Sequence, residues 1–345
     1  MLKSFFELEN RESNRILFQD LLITKHRSEL FGSNQAFGRY PVVSLDLKEL
    51  KAGTWSDMLD KIRIVLARTY TQFKYLGDSP ALDDFEKARF RRIWASDETV
   101  KTSELKSSLQ QLTEFLTRHH GQPCVVLVDE YDAPLESAHH NKYFNDARNF
   151  FGPMFSALLK GNDANVYKAV LVGVLRVAKS DFLSGLNNLM VYTFNDLEFS
   201  DKFGFSNQEV GLLLEKHQPD LDPRTVKSWY NGYQSADGLE LFNPWSVICL
   251  CSEGDIRNYW VDTGSTTTIT PLLASRGPNF KNLVSGLVGD KIGQVPTGIT
   301  LKINDSLRYD SLLSNVEDED VWTLLYFAGY LAIRNDGKYY IPNME

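Results

Sequence analysis

Five consecutive apolar residues, Cys124-Val125-Val126-Leu127-Val128, run directly into two carboxylates, Asp129 and Glu130. A stretch this short and this apolar, rich in β-branched side chains and preceded by Gly121-Gln122-Pro123, reads as a strand covered on both faces. A half-exposed strand would alternate apolar with polar residues. A second run of the same kind follows at Tyr167-Lys168-Ala169-Val170-Leu171-Val172-Gly173-Val174. Tyr40-Pro41-Val42-Val43-Ser44-Leu45-Asp46-Leu47, after Gly38, reads as a third.

Helical periodicity fills the intervals. The first thirty residues place Leu2, Phe5, Phe6, Ile16, Leu17 and Leu21 at helix-like spacings. A helix is predicted from Thr54 to Phe73 with Thr54 or Ser56 as its cap, and another from Ser103 to His119 with leucines at 105, 109, 112 and 116. Residues 80–100 are charged and read as helix or loop, and a further helix is expected around Tyr143 to Lys160. Strands alternating with helices predict an α/β fold with a parallel sheet sandwiched by helices.

From about residue 200 buried-type strands become scarce. Ser206 to His217 and Asp222 to Tyr230 read as capped helices, and Asp318 to Leu331 as an apolar one. Leu331-Ala332-Ile333-Arg334 and Lys338-Tyr339-Tyr340-Ile341 flank Asn335-Asp336-Gly337, a hairpin signal. The expected organisation is an α/β core over residues 1–200 and a mostly helical lid lobe over 201–345 that ends in this β-hairpin. A length of 345 residues suits two such parts, at roughly 150 residues per domain.

Composition narrows the function classes. With 37 basic against 45 acidic side chains the formal charge is −8, which argues against a surface built to coat nucleic acid. Three cysteines do not form a disulfide framework, and a reducing compartment, cytoplasm or nucleus, is expected. No apolar run approaches the roughly 18 residues of a membrane helix, and Met1 to Phe6 lacks the apolar stretch of a secretory signal.

Chemistry concentrates where the first strand ends. Carboxylates at the C-terminal edge of a parallel sheet project into the crevice where such folds bind ligands. Asp129 there can hold magnesium, Glu130 can polarise an attacking water, and Asp132 can serve as a second, outer acid. Arg176 and Lys179, just beyond the 167–174 run, bring cations to the edge where a terminal phosphate would sit. The plainer readings are that Asp129 caps a turn and that Arg176 is a structural ion-pair partner.

Other signals carry less. Glu49-Leu50-Lys51 after Asp46 is a spacing common on helix faces. His119-His120 and His139-His140 lack zinc-ligand spacing and read as solvated surface histidines. Cys249 and Cys251, flanking Leu250 in an apolar helix, read as buried small hydrophobes. A Gly-x-Ser-x-Gly elbow does not occur.

The strings VVLVDEYDAPL (Val125 to Leu135), GVLRVAK (Gly173 to Lys179), FLSGLNN (Phe182 to Asn188), WYNGY (Trp229 to Tyr233) and NPWS (Asn243 to Ser246) together resemble the AAA-ATPase-like family. The resemblance runs over essentially the whole chain, in family order. It implies a P-loop NTPase-like core with a helical lid, Asp129 and Glu130 as the Walker B pair, and Arg176 as a phosphate sensor. ATP and Mg2+ would be the cofactors, and the nucleotide would drive a conformational change in an attached effector. In that family this domain commonly precedes a restriction-endonuclease-like nuclease domain, so an effector domain or protein partner is expected. The WYNGY and NPWS residues would be structural parts of the lid.

One departure is large. Gly-x-x-x-x-Gly-Lys-Ser/Thr occurs nowhere in the 345 residues. It leaves the β- and γ-phosphates without their lysine and amide nest, leaves a sheet edge exposed, and suits a truncated or degenerate member. The alternative expectation is therefore a catalytically inactive NTPase fold kept as an interaction module.

Overall fold

The computed structural model describes residues 1–32, 35–173, 186, 188–260, 269–289, 298–304, 307 and 316–345. Residues 1–173, 186 and 188 belong to one compact unit, and the described residues from 189 onward to a second.

The first unit is built on three parallel strands, β1 (Val42–Asp46), β2 (Cys124–Asp129) and β3 (Val166–Leu171), in the order β1-β2-β3. The register sets Val42 opposite Val125 and Asp46 opposite Asp129, so two strands end together in aspartates. Helices α1 (Leu2–Phe6), α2 (Arg11–Phe18) and α3 (Leu22–His26) precede the sheet. Helices α4 (Trp55–Thr71), α5 (Asp84–Trp94) and α6 (Thr102–His120) join β1 to β2, and α7 (Ala133–His140) and α8 (Phe144–Leu159) join β2 to β3.

Local chemistry accounts for these helices. Thr54 caps α4 by accepting from the Asp57 amide, and Asp83 and Glu86 form a reciprocal capping box at α5. Gly121, in the left-handed region at φ 65°, closes α6 and lets the chain turn into β2. Leu105, Leu109, Leu112 and Leu116 place one face of α6 in the core, where it packs on β2 and α8. From α8, Phe150, Phe151, Phe155 and Leu158 fill the same core. Each such side chain contributes about 1.5–3 kcal/mol on burial. Phe5, Phe18, Phe31 and Phe37 form a separate aromatic cluster over the N-terminal helices, with Phe5 edge-on to Phe18 at 5.6 Å and to Phe37 at 5.5 Å.

Several expectations are corrected. The 167–174 run does form a strand, but not one covered on both faces. Tyr167 is 48% exposed and Val170 39%, because among the described residues β3 has a strand partner on one side only. Helix α7 was missed, because the sharp turn at Tyr131 to Pro134 hides that Pro134 sits in a helical first turn, where a missing N–H costs nothing.

In the second unit a small antiparallel sheet, β4 (Phe205–Ser206), β6 (Glu240–Phe242) and β5 (Tyr233–Gln234), packs with α9 (Asn207–His217), α10 (Pro223–Tyr230) and α11 (Pro244–Glu253). Its strands are too short to show a period, so the sequence reading missed them. Ser206 and Asp222 cap α9 and α10 as expected. A second core gathers Phe280, Val321, Trp322 and Leu325. The apolar helix there, Asp318–Phe327, stops short of the expected Leu331, with Gly329 at φ 82° following it. The C-terminal hairpin is present, Ala332–Ile333 pairing antiparallel with Tyr339–Tyr340. Cys249 and Cys251 lie on α11, packed against the unit's core but only partly buried. No described helix is long and apolar enough to cross a membrane.

Candidate functional site

Strand β2 delivers its charged residues to the C-terminal edge of the sheet. Val125, Val126 and Val128 are almost fully buried, whereas Asp129, the next residue, is exposed. Its backbone stays in the ladder, the Asp129 carbonyl accepting from the Leu47 amide at 3.1 Å. Its Oδ1 accepts from the Glu130 amide at 3.0 Å. Among the described residues no ion pair engages Asp129 or Glu130, and the Asp46 carboxylate is tied only to the Lys48 amide at 2.9 Å. Three carboxylates thus gather at the ends of adjacent strands without a described cation to neutralise them. Asp46 was not assigned a role from sequence; the signal available was a strand-terminal aspartate followed by a turn.

Glu130 has φ 52°, in the left-handed region that costs a non-glycine residue on the order of 1 kcal/mol. The conformation persists because both flanks are fixed. On one side the Asp129 backbone is held by β1, and on the other the Tyr131 amide donates to the Val172 carbonyl at 3.2 Å. The Glu130 carbonyl accepts from the Ala133 amide at 3.1 Å, so the turn opens directly into α7.

Asp132 lies behind this edge, only 4% exposed, and its carbonyl starts α7 by accepting from Leu135 and Glu136. Gly173, two residues past β3, presses against it. A Cβ there would lie 2.5 Å from Asp132 Oδ1 and 2.6 Å from Tyr131 Cε1, so only glycine lets the two strand ends approach so closely. Arg176 and Lys179, the expected phosphate cations, lie outside the described residues, as does most of the 182–188 string.

The donor set suits a hard divalent cation. Carboxylate oxygens are what magnesium takes, usually one or two of them, with phosphate oxygens and water completing the shell. Among the described residues no group of three or more His, Cys, Asp or Glu side chains is arranged to hold a metal by itself.

The opposite end of β2 differs in chemistry. His120 Nε2 lies 2.7 Å from the Tyr75 hydroxyl, which donates to Glu9 Oε1 at 2.9 Å, and His119 Nδ1 lies 2.7 Å from Ser79 Oγ. These histidines are therefore bonded and partly buried, not solvated as the sequence reading had them. His139 is also partly buried, and His140 is exposed. Burial, then the neighbouring His119, holds the His120 imidazole below its usual 6.5. Burial pushes the Cys124 thiol up to about 12, so it is not a nucleophile at neutral pH.

In the second unit the WYNGY and NPWS residues secure the C-terminal segment. The Tyr340 hydroxyl donates to the Gly232 carbonyl at 2.5 Å, and Gly232, at φ 111°, lies so close to Pro342 that a Cβ would collide with its carbonyl. Asn243 caps α11 through the Trp245 amide, and Ser246 Oγ donates to Glu345 Oε2 at 2.7 Å.

With this geometry in hand, comparison with known proteins gives two findings and one negative result. A family model described as predicted AAA-ATPase matches residues 1–183. A protein of Azotobacter chroococcum mcd 1, described as an uncharacterized protein in the vnfD 5' region, is 31% identical over 216 residues, 62% of this chain. The match covers 37% of that relative's length. No solved structure matches.

Proposed function

The chain belongs to the AAA-ATPase-like family, and from that premise we propose that the C-terminal edge of β2 is a magnesium-nucleotide site with ATP as substrate. The observation that carries this reading is the trio Asp46, Asp129 and Glu130 at the C-terminal ends of two adjacent strands, the two aspartates exposed and Glu130 half-buried, with no ion pair to a described cation. Asp129 would hold the metal, which when bound neutralises phosphate charge. Glu130, aimed by its fixed left-handed backbone, would take the proton of the attacking water. Asp132 would act from behind the edge, and Arg176 and Lys179 would supply phosphate cations. Hydrolysis there would drive a conformational change in an attached effector or partner.

The 345 residues hold no phosphate-loop motif, so this reading leaves the amide nest unassigned. That same absence favours a second reading, an NTPase fold used as an interaction module without turnover. Phosphate release from ATP separates the two. On the first reading Glu130→Gln lowers turnover by at least about a hundredfold, the scale of a general base, while nucleotide still binds. Turnover indifferent to Glu130→Gln, or no turnover by folded protein, leaves the second.

A further inference from the structure

Helices α2 and α3 are apolar on two sides. On the inner side Asn14 and Phe18 of α2 are buried, and Phe18 and the following Leu21 pack into the cluster of Phe5, Phe31 and Phe37. On the outer side Ile16, Leu17, Leu22 and Ile23 stand 66%, 61%, 65% and 37% exposed. Helical residues turn by about 100° per step, so Ile16, midway between Asn14 and Phe18, points away from the core that those two face. A helix that meets only water on its outer side carries polar residues there.

The four aliphatic side chains fall within one short stretch, residues 16–23. Together they present on the order of 400 Å² of apolar surface, the size at which a patch marks an interaction site. Residues 1–32 are described throughout, whereas the exposed Val172 and Trp260 lie within two residues of stretches outside the described ones.

The surroundings select the occupant. Residues 11–31 carry four Arg or Lys against three Asp or Glu, and Arg27 is bridged to Glu29. That is not the cationic excess with which a helix binds an anionic membrane surface. A second copy of the same patch is the better complement: apolar centre meets apolar centre, and a rim of both signs meets itself without like-charge repulsion. Two such patches exclude roughly 800 Å² of apolar surface. At the usual apolar share of about 57%, this corresponds to an interface of roughly 1,400 Å², inside the roughly 1,200–2,000 Å² of stable complexes.

We infer that α2 and α3 form the interface of a symmetric homodimer, in which Ile16, Leu17, Leu22 and Ile23 of each copy are covered by the other. The contact belongs to the first unit alone and is independent of the magnesium-nucleotide reading.

Sedimentation velocity of the full 345-residue chain over a wide range of micromolar concentrations tests it. The mass should pass from one copy to two as concentration rises, in high salt as in low, because the contact is apolar. Leu17→Glu and Leu22→Glu, both at exposed positions, should keep the circular dichroism of the folded chain and each raise the dissociation constant at least about tenfold. Leu212→Glu, at a leucine of α9 that is 60% exposed, and Asp129→Ala should leave the dissociation constant unchanged. Folded protein that stays monomeric throughout, or a dimer indifferent to Leu17→Glu and Leu22→Glu, overturns the proposal. So does a monomer that binds phosphatidylserine–phosphatidylcholine vesicles only while Leu17 is intact, which would assign the patch to a membrane.

Discussion

The two ends of β2, a strand of 6 residues, obey opposite rules. At Cys124 every polar neighbour is answered: Tyr75 joins His120 to Glu9, Ser79 meets His119, and the Cys124 thiol donates to the Thr113 carbonyl at 3.6 Å. At the other end the Asp129 carboxylate stands exposed and that of Glu130 half-buried, neither paired with a described cation, and the Glu130 backbone is held in the left-handed region. One end spends its polar groups on holding the fold. The other keeps them available for a ligand and carries the backbone strain expected of functional positions.

That contrast sets the order of expected effects. Leu116→Ala, at a fully buried position near the C-terminal end of α6, should cost about 2–5 kcal/mol in urea unfolding. Asp129→Ala should change stability by no more than about 0.5 kcal/mol. A large loss at Asp129 would show that both ends serve the fold, and would break the comparison.

Gly173→Ala comes next, at about 1–3 kcal/mol, because its Cβ must displace Asp132 or Tyr131. The same unfolding curves measure it, and a neutral result would mean that the two strand ends need not approach so closely.

Tyr75→Phe should cost about 1 kcal/mol, since His120 and Glu9 lose the hydroxyl they share. Smaller still is a pH effect from His120. Its folded imidazole takes up a proton below 6.5, whereas the unfolded one does so near 6.5. Between those values the unfolded state binds more protons, so stability should fall as pH drops through that window. Thermal unfolding between pH 7.5 and 5, compared with His120→Gln, should show a slope that the variant lessens; equal slopes would remove His120 from the account.

Much of this was legible in the sequence, for reasons that differ by element. Cys124 to Val128 is apolar on both strand faces, so its burial could be read directly, and the caps Thr54, Ser206 and Asp222 announced their helices. Strand β3 has the same apolar look, but the sequence does not say what covers it, and its exposure goes with having one strand neighbour among the described residues. His119 and His120 read as surface residues because their partners, Ser79 and Tyr75, are some forty positions earlier in the chain. Asp46 stood in the sequence only beside the weak Glu49-Leu50-Lys51 pattern for a similar reason: its place opposite Asp129 comes from strand register, which no local pattern encodes.

The most direct test of the sheet edge is calorimetric titration of the folded chain with Mg2+ and a non-hydrolysable ATP analogue. Binding that requires Mg2+, survives Glu130→Gln and weakens at least about tenfold, roughly 1.4 kcal/mol, in Asp129→Ala is the predicted result. Absence of binding, or binding of equal strength in Asp129→Ala, would contradict the assignment of this edge as the nucleotide site.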